Sequence, residues 1–313
     1  MSIAFPSLGH AEENVSAETL TLHQLRLRDK KTTGLIEADL NSNGRILLPF
    51  AHGAQVGIFQ QHDGEYRSIS TNDIEALCRQ GIPQINVTPL EDVMCRLAWL
   101  ACESHKRGSV QGAGLEAWNQ RLRAWQAEKL NGLVDFQSDT VFGFIYIHRG
   151  KPMALESAML SKSGQAAQRL DPFGEIGPWQ AKIMEIDPRS MSGRCLVMRR
   201  AILQWSRSVF DSYKNIAGEK FLSMMLRELQ TQVRPWNWNI RIEPQGVEDN
   251  HFFPGSEATA HAYRAILLGI GAQMGFAIGG YLTQRILEEM FNELDQEERE
   301  GLGAHHLIPA SFS

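Results

Sequence analysis

Hydrophobic and polar positions fall into two styles along the chain. Through about residue 160, short apolar runs alternate with turn formers; from Cys195 onward, longer stretches repeat their apolar positions at helical spacing. "LIEADL" (35–40) and "LVDFQ" (133–137) alternate as strands with acids on one face, and "RILLPF" (45–50) and "FGFIYI" (142–147) read as buried strands. "NSNG" and "QSDT" supply turn residues, and the bends "AHGAQ" and "HRGKP" need a glycine, Gly53 or Gly150, at positive φ. Pro49 predicts that its strand lies at an edge or is bulged.

A helix is expected before each of these strand groups. "ETLTLHQLRLRD" leads the first, and "LEAWNQRLRAWQAEK" leads the second with Leu115, Trp118, Leu122 and Trp125 on one face. "STNDIEALCRQG" reads as a short helix ended by Gly81. "TPLEDVMCRLAWLACESHKRG" predicts another, with Thr88 as N-cap, Pro89 at the first position, Glu91 completing a capping box and Gly108 at the end. "GSVQGAG" (108–114) reads as a connector.

The two groups form an internal repeat. Gly34, Leu35, Ile36 and Glu37 align with Gly132, Leu133, Val134 and Asp135, and Gly53 aligns with Gly150, at a separation of about 97–98 positions. That period is too long for a solenoid and suits a duplicated small domain. After a turn-rich stretch, helices are expected at 197–217, 218–233 and 257–300, with a strand carrying Trp236, Trp238, Ile240 and Ile242 between them. The expected class is α+β: two small β-meander modules, each with a leading helix, followed by a mainly α-helical domain. The boundaries are a flexible arm at 1–17, modules at 18–110 and 111–165, a linker at 166–194 and a helical domain at 195–313.

Composition narrows the function classes. A net charge of −5 gives no support to nucleic-acid binding, and the pairs Arg199-Arg200 and Lys106-Arg107 read as solvated helix ends. Cys78, Cys95, Cys102 and Cys195 form no CxxC pair, so neither a zinc knuckle nor a redox dithiol is expected. The first residues lack the basic-then-apolar pattern of a secretory signal, which predicts a cytoplasmic protein.

The stretch "ILLGIGAQMGFAIGGYLTQRILEE" (266–289) admits three readings. Gly269, Gly271 and Gly275 depart from the GxGxxG spacing of a dinucleotide turn, and no second nucleotide-binding strand follows. Residues 265–284 carry no charge and could span a membrane, but glycines and glutamines dilute their hydropathy. The preferred reading is a long helix whose Gly271, Gly275 and Gly279 form a seam for helix packing or a homodimer interface, followed by a solvated acidic tail.

Catalytic signatures are few. His52 and His148 read as turn residues, His305-His306 are adjacent rather than four apart, and there is no HExxH, GxSxG or GxxxxGK[ST]. No metal and no cofactor are expected. Glu248, Asp249 and His251 in "VEDNHFFPG" are the local cluster with acid–base potential, either as an active-site loop or as a capped turn. Trp99, Trp118, Trp125, Trp179 and Trp205 lie on expected helices or the linker; the spaced helical ones are expected in cores, and exposed ones would mark a partner surface.

The segments "KTTGLIEADL…RILLPFAHGAQVG" and "LNGLVDFQ…FGFIYIHRGKPMA" resemble the bacterial PatA amino-terminal-type regulatory module, a domain of unknown function found in signalling proteins. The second copy, with Phe142 to Tyr146 and Gly150 to Ala154, matches better; the first departs at Pro49 and in the extra Thr before Gly34. The resemblance implies a non-catalytic adaptor or input role in bacterial signalling, motility or cell organisation. The resulting expectation is a cytoplasmic regulatory or scaffold protein acting through a protein partner, with Gly34, Gly53, Gly132 and Gly150 as the module turns that set its geometry. Two alternatives stand beside it: a small-molecule sensor or enzyme with Glu248, Asp249 and His251 at the junction of modules and helical domain, and membrane attachment through 265–284.

Overall fold

The computed structural model describes residues 10–40, 44–62, 65–78, 81–161 and 177–311. The arm before His10, most of "NSNG" and the linker through residue 176 lie outside them. The chain divides into two compact units, 1–187 and 188–313.

The first unit holds two copies of one topology. Copy one contains β1 (His10–Val15), α1 (Ala17–Asp29), β2 (Gly34–Asp39), β3 (Arg45–Ala51), β4 (Ala54–Gln55), β5 (Phe59–His62), β6 (Glu65–Ser68), α2 (Thr71–Cys78) and β7 (Ile82–Pro89). After α3 (Asp92–Cys102), copy two contains β8 (His105–Ala113), α4 (Gly114–Ala127), β9 (Gly132–Ser138), β10 (Val141–His148), β11 (Lys151–Ser161) and β12 (Pro178–Glu185). The antiparallel sheets run β1-β7-β2-β3-β5-β6, with β4 also on β3, and β8-β12-β9-β10-β11. In each, the strand before the leading helix forms an edge and the last strand inserts beside it.

The duplication extends to single backbone angles. Lys31 and Lys129 take φ of 49° and 50°, His52 and Arg149 take 47° and 50°, and Gly53 and Gly150 take 86° and 78°. Thr32 N–H donates to Leu27 O in one copy as Leu130 N–H donates to Trp125 O in the other. Gly34 and Gly132 are strand rather than turn residues: an added Cβ would lie 2.5 Å from Thr88 O and 2.6 Å from Met184 O.

On the outer faces, α1 packs Leu20 and Leu27 against Ile36, Ala38 and Leu48, and α4 packs Trp118 and Trp125 against Val134 and Phe136. Helix α3, buried from Met94 to Cys102, contacts β2, β3 and β6 of one sheet and β10 and β11 of the other. Its Arg96 pairs with Glu156 at 3.1 Å and donates to Leu155 O.

The second unit comprises α5 (Met191–Ala217), α6 (Glu219–Val233), a hairpin of β13 (Ile240–Glu243) and β14 (Gly246–Asp249), α7 (Ser256–Ile278), α8 (Gly280–Asn292) and α9 (Gln296–Gly303). Here too there is a repeat: each of two helix pairs folds back at one glycine, Gly218 at φ 91° and Gly279 at φ 84°. Met191 meets Ser256 and Cys195 meets Thr259, so α5 and α7 run parallel and both corners lie toward one end of the bundle.

The expected class holds: antiparallel sheets in the first part, helices in the second. Several boundaries are corrected. Residues 10–15 of the expected arm form β1, paired to β7. Thr88 and Pro89 end β7 opposite Leu35 and Gly34, so α3 starts at Asp92 without a capping box. The connector 108–114 is mostly β8, and residues 178–185 of the expected linker are the inserted strand β12. Pro49 lies on an interior strand, in the gap where β5 pairs with 45–47 and β4 with 50–51, so its missing N–H removes no ladder bond. Trp236 ends a 3-10 turn and stacks on Trp238 at 5.0 Å instead of sharing a strand.

Candidate functional site

In the loop singled out for acid–base chemistry, Asp249 holds the turn. Asp249 is 2 % exposed and its carboxylate accepts from Arg199 Nε at 2.9 Å, Tyr263 Oη at 2.6 Å and His251 N–H at 2.8 Å. Arg199 also donates to His251 O, closing the turn onto α5. Glu248 lies across the hairpin from Arg241, and His251 stacks edge-on against Phe253. A carboxylate with three donors and almost no exposure holds a turn; substrate has no access to it. Arg199 and Arg200 are therefore not a solvated helix end. Arg200 reaches Glu298, which is fully buried, at 2.8 Å, and Glu298 also completes the α9 capping box. The acidic tail is thus partly core.

The glycine seam is also rearranged. Gly269, Gly271 and Gly275 all lie within α7, which excludes a nucleotide-binding turn, and Gly279 ends that helix, so no single helix carries all three seam residues. Gly271 is buried, whereas Gly275 and Gly279 have no atom within 4 Å of an added Cβ. Around the two corners, large apolar side chains face outward: Phe276 is 93 % exposed, Tyr281 86 %, and Ile216, Phe221 and Met224 50 % each. Among the described residues, no helix is long and apolar enough to cross a membrane.

The concave polar feature lies elsewhere, on the second module. Strands β8, β12 and β9 leave a groove of about 530 Å³ lined by Lys106, Ser109, Gln111, Asp135, Gln137 and Lys182, among others. The sheet register explains the lining. Lys182 sits opposite Asp135 on one side and Ser109 on the other, and Gln180 sits between Gln137 and Gln111. A bulge at Ile183–Met184 then pairs Gly108 and Lys106 with successive residues, which brings Lys106 to the face of Ser109 and Gln111. Asp135 lies 3.7 Å from Lys182, and burial pushes its carboxyl up to about 6 despite that cation.

The equivalent position in the first module is closed. Glu37 is 3 % exposed, is held by Arg45 at 3.2 Å, and is pushed up by burial to about 7. None of the groove residues was legible as a site, because β8 and β12 read as connector and linker; the charged pair Lys106-Arg107 was the available signal. Comparison with known protein families, curated proteins and solved structures finds no match to this chain.

Proposed function

We propose that the chain is a non-catalytic regulatory or scaffold protein that acts through protein–protein contacts, its helical unit forming a homodimer. The observation that carries this is the exposed apolar end of that unit, above all Phe276 and Tyr281 beside the Gly279 corner. Aromatic side chains left in water at a helix corner bury large area at little conformational cost when a second copy covers them. The acid–base cluster supports the same reading, since Asp249 is fully engaged in holding a turn. The resemblance of both modules to the PatA amino-terminal type points to a cytoplasmic role in bacterial signalling, motility or cell organisation.

The test is size-exclusion chromatography with light scattering on the full chain without detergent, beside a Phe276→Ser, Tyr281→Ser variant. The expected result is a wild-type dimer and a variant monomer with unchanged circular dichroism. A wild-type monomer at the highest soluble concentration overturns the dimer.

A further inference from the structure

We propose that the free edge of β8, with the groove beside it, takes an acidic extended peptide from a partner protein as an added antiparallel or parallel strand. This names the partner class for the protein-contact reading above and rests on it. Four observations converge on this edge.

The first is topology. β8 closes one end of its sheet and pairs with β12 alone in the strand order, so one side of its backbone has no ladder partner among the described residues. Unpaired N–H and C=O groups in a row are a template for another strand. Its length, nine residues, is enough to fix the register of such a partner.

The second is side-chain size. Short edge strands, prolines, charged side chains and bulges are the usual protection against strand addition, and on β8 the cations and the bulge are confined to its first residues. From Gly108 to Ala113 this strand has none of them: Gly108, Ser109, Val110, Gln111, Gly112 and Ala113 are uncharged and mostly small. The equivalent edge of the first module, β1, carries Glu12 and Glu13 instead.

The third is charge. His105, Lys106 and Arg107 stand exposed at the start of β8, and no acid occurs between Glu103 and Glu116. Cations at one end of an edge could serve only to repel other strands. The bulge argues against that limited role, because it aims Lys106 into the groove rather than leaving both cations along the rim.

The fourth is the groove. A strand added to β8 alternates its side chains across the sheet, so every second one lies over Ser109 and Gln111 and within the field of Lys106. Lys182 is balanced by Asp135, leaving Lys106 and Arg107 to recognise carboxylates. Main-chain bonds supply affinity and the cations supply selectivity.

The experiment uses the full-length chain and fluorescein-labelled nine-residue peptides read by fluorescence polarisation. The probes are an alternating Glu/Val peptide, its Lys/Val counterpart, and two Glu/Val peptides N-methylated on alternate backbone amides in the two possible phases. The expected result is saturable binding of Glu/Val and of one methylated phase, with loss of the other phase and of Lys/Val. Lys106→Glu with Arg107→Glu is expected to weaken binding at least about tenfold. Slowed amide exchange across Gly108–Ala113 on binding is the matching signature.

Equal binding of both methylated phases means that charge alone holds the peptide, and overturns strand addition. No binding of the Glu/Val peptide overturns the proposal outright. A shift in mass by light scattering on the Lys106→Glu, Arg107→Glu change, without peptide binding, makes the occupant a second copy and overturns it equally. The Phe276→Ser, Tyr281→Ser variant reads the dimer separately, so loss of the dimer and loss of peptide binding are distinguishable.

Discussion

Glu37 and Asp135 occupy the same position in the two copies of the module, yet their cations come from opposite sides. Glu37 is held by Arg45 on β3, whereas Asp135 faces Lys182 on β12, the inserted strand. An acid on the inner face of the central strand is thus common to both copies, and its partner is not. Closure by Arg45 leaves Glu37 almost without solvent, while the second copy keeps an open groove. The two copies thus differ at this position in both the salt bridge and the opening: sealed in the first, grooved in the second.

That burial makes the first unit sensitive to pH. Glu37 is raised in the folded chain to about 7, above the ordinary carboxylate value of 4.5, because desolvation outweighs Arg45. The folded state therefore binds a proton more tightly than the unfolded one. Its contribution to stability is full below about 4.5 and is lost as pH rises to about 7. Asp135 acts in the same direction up to about 6. Thermal melting of the full chain is expected to show a first-unit transition higher at pH 5.5 than at pH 8. Glu37→Gln should flatten most of that difference; an unchanged slope would show that Glu37 does not carry it.

Gly53 and Gly150 should both resist replacement. Both have positive φ, and an added Cβ would lie 2.7 Å from Arg28 O at the first and 2.6 Å from Trp125 O at the second. Strain and backbone overlap add, so each Ala variant is expected to lose upwards of about 2 kcal/mol. Gly81 is the control: it has φ of 88° but open space around it, so Gly81→Ala should cost only about 1 kcal/mol. Urea unfolding of the three variants compares them directly.

Both glycines were legible in the sequence, because the repeat placed them at matching bends. Strand β8 was not: Gly108, Ser109, Gly112 and Ala113 have no apolar period, and only the pairing with β12 makes them a strand. Trp179 and Ile183 of β12 were hidden in the same way inside a turn-rich stretch. The break at Gly279 was invisible because apolar positions continue through it, from Met274 to Ile286. Arg199 and Arg200 looked solvated because their partners, Asp249 and Glu298, lie far along the chain. Local patterns gave the modules and the helices; the groove depended on long-range pairing.

Asp249 provides a sharp contrast between a structural and a catalytic residue. Removing its carboxylate takes the ion-pair partner from the buried Arg199 guanidinium and the acceptor from Tyr263 and His251. Breaking one side of a buried ion pair costs about 3–5 kcal/mol, so Asp249→Ala should lower the melting temperature of the helical unit by many degrees. Asp249→Asn should recover part of that loss by keeping one acceptor oxygen. Melting near wild type for Asp249→Ala would contradict the structural role.

Within α7, two glycines should respond in opposite ways to the same enlargement. Gly269 is buried, and a Cβ there would lie 2.8 Å from Leu229 Cδ2 and 2.7 Å from Gln232 Oε1 on α6, so Leu at this position must push two side chains aside. Overpacking of that kind costs about 1–3 kcal/mol. Gly275 has nothing within 4 Å, and replacing a helical glycine gains about 0.5–1 kcal/mol, so Gly275→Leu should leave the isolated fold intact or slightly steadier. If the corner is covered by a second copy, that same leucine intrudes on the interface and light scattering reports a folded monomer. Denaturant unfolding and mass measured together separate the effects. Gly269→Leu is expected to change stability, and Gly275→Leu is expected to change only association.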